Sequence, residues 1–233
     1  NFEADVIIGG ADYHHIETAL LPAAARSYSA AYWDSRVMAP SCLLFYIGLN
    51  KKLTDVQHHT LFFDTSFDVH GAEIYTTKSW PTDPLFYMSI TSVTDNTSAP
   101  EGHENMFLLM PVATGLAGDT EDVREKYLDQ MLTRIEKRLG QSVKDAIVYK
   151  RSFAQSDFIL DYHAFKGNAY GLANTLLQTA ILKPSCRSKK VKNLFYTGQL
   201  TVPGPGVPPS LISGEVVAGQ VVKHYSTNKN KQL

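Results

Sequence analysis

Short apolar runs, one long amphipathic stripe and intervening polar turns set the rhythm of this chain. Val6-Ile7-Ile8 is too short for a helix. Its unbroken apolar character predicts a strand inside a parallel sheet, ended by Gly9 and Gly10. Residues 13–21 read as a short helix, capped by Asp12 and stopped by Pro22. Residues 41–49 predict a buried strand before the polar turn Asn50-Lys51-Lys52. Further strands are expected over 60–64, 84–94, 106–114 and 145–151, the second of them from strict alternation. Strands following one another with turns between them predict a mainly antiparallel sheet. Residues 121–139 carry the clearest helix. Val123, Tyr127, Leu128, Met131, Leu132, Ile135 and Leu139 form one apolar stripe, Asp119 or Thr120 caps the start and Gly140 ends it.

Near the C-terminus the pattern changes. Residues 194–197 are apolar or β-favouring without alternation, as in a strand covered on both faces. Gly198 closes that strand, and Pro203, Gly204, Pro205 and Gly206 forbid regular structure. Pro208 and Pro209 suit the first turn of a helix, where a missing N–H costs little. Ser210, Gly214 and Ala218 recur at helical spacing and predict a small-residue face. A helix opening from a glycine turn at a strand end favours negative charge or a polarised acceptor. The same pattern also serves as an ordinary strand–helix connection, and these residues alone leave both readings open.

The fold class expected is therefore α+β (α/β overall). Composition narrows the function. Lys and Arg number 22 against 23 Asp and Glu, so there is no basic field for nucleic acid. Cys42 and Cys186 lie far apart and form no metal or redox motif, which reads as two reduced cysteines in an intracellular protein. The adjacent pairs His14-His15 and His58-His59 are poor chelates, so no metal is expected. No Gly-x-Ser-x-Gly elbow marks a hydrolase. No apolar run reaches membrane-spanning length. A chain that starts at Asn1 and enters a strand pattern almost at once is expected to be the back part of a longer protein.

The run Asn193-Leu-Phe-Tyr-Thr-Gly198-Gln199-Leu-Thr-Val-Pro203-Gly204-Pro-Gly206-Val207-Pro208-Pro209 resembles the C-terminal signature of bacterial-type carotenoid (phytoene) desaturases, flavoproteins related to amine oxidases. The spacing agrees throughout; Gln199, Leu200, Val202 and Pro209 depart from the family's residues. Gly10-Ala11-Asp12 stands where the family has Asn-Ala-Asp, and Tyr162-His163 with Phe165 resembles the family's run before its last strand.

The resemblance implies a split FAD-binding domain over 1–15 and 190–226, a substrate domain over 16–189 and a flexible tail over 227–233. It implies FAD contacts at Gly198, Gln199, Gly204, Gly206, Val207, Pro208, Ser210 and Leu211, with free helix N–H groups from Ser210 to Ile212 facing the flavin. Substrate contacts are implied at Tyr46, Tyr162, His163, Gly167, Tyr170 and Gly171. The catalytic base is left unassigned. The activity implied is desaturation of an apolar polyene or isoprenoid, in a cytoplasmic protein touching the membrane peripherally, with the oligomeric state open. The Gly-x-Gly-x-x-Gly fingerprint for the adenine end of FAD is absent, so the chain alone is expected to bind FAD poorly. The alternatives are a retinoid saturase-like flavoenzyme and a flavin-independent escort protein for isoprenoid-bearing partners.

Overall fold

The structure, a computed structural model, describes residues 2–229. In chain order its main elements are β1 (Ile7–Gly9), α1 (Tyr13–His15, continued by a π-helical turn over Ile16–Leu20), α2 (Ala30–Asp34), β2 (Ser41–Leu49), β3 (His59–Phe62), α3 (Phe67–Tyr75), β4 (Phe86–Ser89), β5 (Glu104–Val112), α4 (Glu121–Leu139), β6 (Ile147–Phe153), α5 (Gln155–Tyr162), β7 (Leu194–Tyr196) and α6 (Val207–Lys229). Helices and a largely antiparallel sheet are mixed, as the strand and helix patterns predict. The tail expected from residue 227 is helical to Lys229, and its remainder lies outside the described residues. The described residues up to Ala39 and from Phe158 onward form one compact unit; Pro40–Asp157 forms the other.

In the first unit, β1 and β7 pair in parallel, Ile7 opposite Leu194 and Gly9 opposite Tyr196. All of β7 is buried, as its unbroken apolar run predicts. β1 departs from expectation: Ile7 and Ile8 are 49% and 55% exposed, because only one other strand joins this sheet among the described residues. Asp12 caps α1 as expected, accepting the His15 N–H at 3.0 Å. Beneath α1, Tyr13 stacks on Tyr196 with ring centres 3.7 Å apart, and Trp33 and Leu172 complete the cluster. Glu17 is fully buried there. Its carboxylate accepts the Ser27 and Tyr28 N–H groups and the Tyr196 hydroxyl, so hydrogen bonds replace lost hydration. The packed face of α6 is displaced from the small-residue stripe expected. Ser213 and Val217 are buried, while Ala218 is exposed.

In the second unit the strand order is β3-β4-β5-β2-β6, antiparallel throughout. Leu43, Phe45 and Ile47 on β2 and Met106, Leu108 and Met110 on β5 turn one face toward Tyr127, Leu128, Met131 and Ile135 of α4. That helix has the predicted bounds. Thr120 is the cap and Gly140 ends it in the left-handed conformation. Asp119 instead pairs with Arg124 at 2.7 Å, and Arg124 also reaches Asp157 at 2.8 Å.

Four strand expectations are corrected in extent, the first being β3, which covers His59–Phe62 rather than 60–64. β4 stops at Ser89 and a 3-10 turn follows over Thr91–Val93, since the Ser92 N–H donates to Asn105 Oδ1 and the Ser92 hydroxyl to Glu104. β5 starts and ends earlier than 106–114. β6 begins only at Ile147, after Glu136 has captured the Val143 and Lys144 N–H groups in a turn. Three helices, α2, α3 and α5, had no expectation in the sequence. In α3 the buried positions are His70 and Glu73, so polar residues face inward and no apolar stripe betrays the helix.

Candidate functional site

At the C-terminal ends of β1 and β7 the first unit contains a cavity of about 590 Å³, a size common for small-molecule sites. The ends of parallel strands are where open α/β sheets bind ligands. Its floor is backbone. Gly198 has φ +108°, and a Cβ placed there would have no atom within 4 Å. At Gly10 the nearest neighbour would be Thr197 Oγ1 at 3.7 Å. One glycine just beyond each strand thus leaves backbone without a side chain facing the cavity.

The turn after β7 is held from several sides. The Gly198 N–H donates to Ser213 Oγ at 2.8 Å, and the Thr201 hydroxyl donates to the Gly198 carbonyl at 2.9 Å. Gln199 Nε2 donates to Asn168 Oδ1 at 2.8 Å, and Asn168 Nδ2 donates to the Phe165 carbonyl at 2.8 Å. The Gly206 N–H donates to the Tyr170 carbonyl at 3.1 Å.

The opposite wall comes from α5 and the loop after it: Phe158, Asp161, Tyr162, His163 and Ala164. His163 closes α5 with φ +52°, a conformation that costs a non-glycine residue about 1 kcal/mol. Its imidazole stacks on His15 with ring centres 3.9 Å apart and planes 9° from parallel. Asp12 ties the two sides together, because its second oxygen accepts the Phe165 N–H at 3.1 Å. Burial pushes the Asp12 carboxyl above the usual carboxylate range, against the pull of the Phe165 and His15 N–H groups. Burial also pushes the Tyr13 phenol well up.

No family model matches the chain. Among curated proteins it is 43% identical over 219 residues to a carotenoid 3,4-desaturase of Haloarcula japonica, covering 94% of this chain and 44% of the relative. A 4,4'-diapophytoene desaturase of Staphylococcus aureus is 31% identical over 228 residues, with 94% of this chain and 45% of the relative covered. A 4,4'-diapolycopen-4-al dehydrogenase of Metabacillus indicus is 31% identical over 211 residues, covering 89% and 40%. The chain is a relative of the carotenoid desaturases. It spans less than half the length of each, corresponding to their C-terminal part. A crystal structure of an oxidoreductase from Methanosarcina mazei shares the fold at a TM-score of 0.52 and 15% identity, over 94% of this chain and 43% of that one.

In this carotenoid desaturase relative the residues singled out by sequence separate into two groups. Gly198, Gln199, Ser210, Tyr162 and His163 line the cavity. Gly204, Gly206, Val207, Pro208, Leu211, Gly167, Tyr170 and Gly171 are not among its lining residues. Gly204 instead packs on Lys183, whose Cε would lie 3.1 Å from an added Cβ. Val207 and Leu211 are 76% and 75% exposed on α6. Tyr170 and Gly171 brace the glycine turn from outside. The donors expected from Ser210 onward need correction. The Ser210 N–H is spent on the Gly206 carbonyl at 3.1 Å, and Pro208 and Pro209 carry no N–H.

Tyr46 lies in the second unit, on the sheet face away from α4, with its ring 5.3 Å from Phe107. It lines a separate cavity of about 380 Å³ together with Phe107, Asn105 and Tyr149. Sequence reasoning missed Gly10, His15 and Asn168 as site residues, and treated Asp12 only as a cap. The cap was correct; nothing in the local pattern reveals that its other oxygen reaches Phe165.

Proposed function

We propose that this chain is part of an FAD-dependent oxidoreductase that desaturates a carotenoid or related apolar isoprenoid polyene. The observation that carries the reading is the 43% identity to a carotenoid 3,4-desaturase across 94% of the chain. The cavity supports it. Gly10 and Gly198 offer a flat backbone floor, which suits a planar ring system and which any side chain would obstruct.

The residues present fit the ring end of FAD. Gly198, Gln199 and Ser210 would hold that end, with Gly10 beneath it. No Lys or Arg lines the cavity. FAD, when bound, supplies a two-electron acceptor for hydrogen removed from carbon. The protein's own part is alignment and exclusion of water. Asn168 fixes the Gln199 amide, and the Ser213–Gly198 bond fixes the floor. Phe158 and Tyr162 supply aromatic wall for an apolar chain.

No helix among the described residues is long and apolar enough to cross a membrane. A substrate of this kind resides in lipid, so the reading includes peripheral membrane contact.

The test uses the complete protein with FAD and polyene-loaded liposomes under anaerobic conditions. Flavin bleaching with new long-wavelength polyene bands is the expected result. Bound flavin without new bands would redirect the substrate to another isoprenoid. Failure to bind flavin would overturn the reading in favour of an escort protein.

A further inference from the structure

We propose that His163 accepts the proton released when a substrate is dehydrogenated in the first-unit cavity. The inference rests on the function proposed above and adds the base that the sequence leaves unassigned. Removing two hydrogens from neighbouring carbons sends one away with both electrons, as hydride to a flavin-class acceptor. The electrons of the second C–H bond become the new C=C bond, and its proton passes to an imidazole nitrogen of His163. Atoms and charge then balance with no further reactant.

The geometry singles out this residue. His163 lines the cavity and ends α5 at φ +52°, where glycine is the usual choice. Its N–H donates to the Ile159 carbonyl at 3.0 Å and the next N–H, of Ala164, to Phe158 at 3.1 Å, so the strained turn is firmly made. Of the five described non-glycine residues at positive φ, His163 is the one that lines this cavity. The ring is also held in place. It lies flat on His15, and the Asp12 carboxylate grips the backbone on both sides through His15 and Phe165. Asp12 is thus a positioning residue for the stack.

The other ionisable groups of the wall are less suited. Both Asp12 oxygens already accept a backbone N–H. The Tyr13 hydroxyl donates to the Ser185 carbonyl. Asp161 and His163 are both exposed at the end of α5, and the His163 ring is the one held by a stack, on His15. Next to His15, His14 feels the charges of Asp12 at the α1 cap, Asp34 at the end of α2 and Lys166 in the loop after α5, and Asp161 of α5 lines the cavity beside His163. A cation formed on His163 has the face of His15 against it, and Asp161 lines the cavity two residues before it.

The test is His163→Gly in the FAD-loaded complete protein, because glycine suits this backbone and the variant folds. Polyene formation should fall at least ~100-fold, the contribution typical of a positioned base. Added imidazole should restore at least tenfold of that loss, which a merely structural histidine would not show. A rate within threefold of the parent, or a loss that imidazole leaves untouched, would overturn the proposal. A second readout needs no turnover. In the chain itself, His163→Gly should shift the His15 ring-proton resonances through loss of the stacked ring, and unshifted resonances would remove the pair. If the parent protein forms no polyene product while the His15 shift is seen, the proposed function fails and takes this inference with it. If the parent forms product and the variant forms it equally well, only the inference fails.

Discussion

Gly171 lies so close to Gln199 that a methyl group on it would overlap the Gln199 carbonyl. With φ +99°, its backbone is also one that other residues resist. The contact presses the 168–172 segment against the turn that forms the cavity floor. Gly171→Ala should therefore lower stability by about 2–4 kcal/mol, combining overpacking with backbone strain. Urea unfolding of the two chains checks this, and an unchanged midpoint would show that the turn gives way freely.

Gly198 makes the opposite case. Its missing Cβ would meet nothing within 4 Å, so Gly198→Ala meets no packing obstacle and costs only strain, about 1–2 kcal/mol. Flavin affinity of the complete protein should nevertheless fall at least ~10-fold, because the methyl stands where the ring would lie. Fluorescence titration with FAD measures it. Equal affinity would put the ring elsewhere.

Glu17 holds three donors in a dry site: two N–H groups and the Tyr196 hydroxyl. Glu17→Ala leaves all three unpaired and should cost about 3 kcal/mol or more. Glu17→Gln retains an acceptor oxygen and should cost clearly less. Denaturation midpoints of the two variants give the comparison, and equal losses would mean that charge rather than pairing matters.

His70 is buried with both nitrogens engaged. Nε2 donates to the Pro111 carbonyl at 2.9 Å, and Nδ1 accepts the Leu85 N–H at 2.9 Å. A proton on Nδ1 would break the second bond. Burial accordingly pushes this imidazole below its ordinary 6.5. Its contribution to stability is present above pH 6.5 and is lost progressively as pH falls toward the lowered folded value. NMR titration should find the His70 ring gaining its proton below 6.5, and a midpoint at or above 6.5 would contradict the bonding.

Where several local signals agreed, the fold was legible. The Thr120 cap, the acidic first turn, the apolar stripe and Gly140 all define α4, and its bounds match. β7 was legible because its apolar run is buried on both faces. α3 was hidden because His70 and Glu73 face inward, and burial of polar groups depends on partners distant in sequence. The site divides in the same way. Gly198 is visible as a glycine in a turn, whereas the His15–His163 stack joins residues far apart in sequence and has no spacing to read.

The pairing of Ile7 with Leu194 sets an order of events during synthesis. Pro40–Asp157 is one continuous stretch, so that unit is complete in sequence before Phe158 is added. β1 precedes that unit in the chain, and the strand that pairs with it among the described residues is not made until Leu194 has left the ribosome. Closing so long a loop costs entropy that only the late contacts repay. The glycine floor needs both Gly10 and Gly198, so it cannot form until the chain has passed Gly198, and a chain released before that point would carry the sheet of the second unit but not the cavity floor.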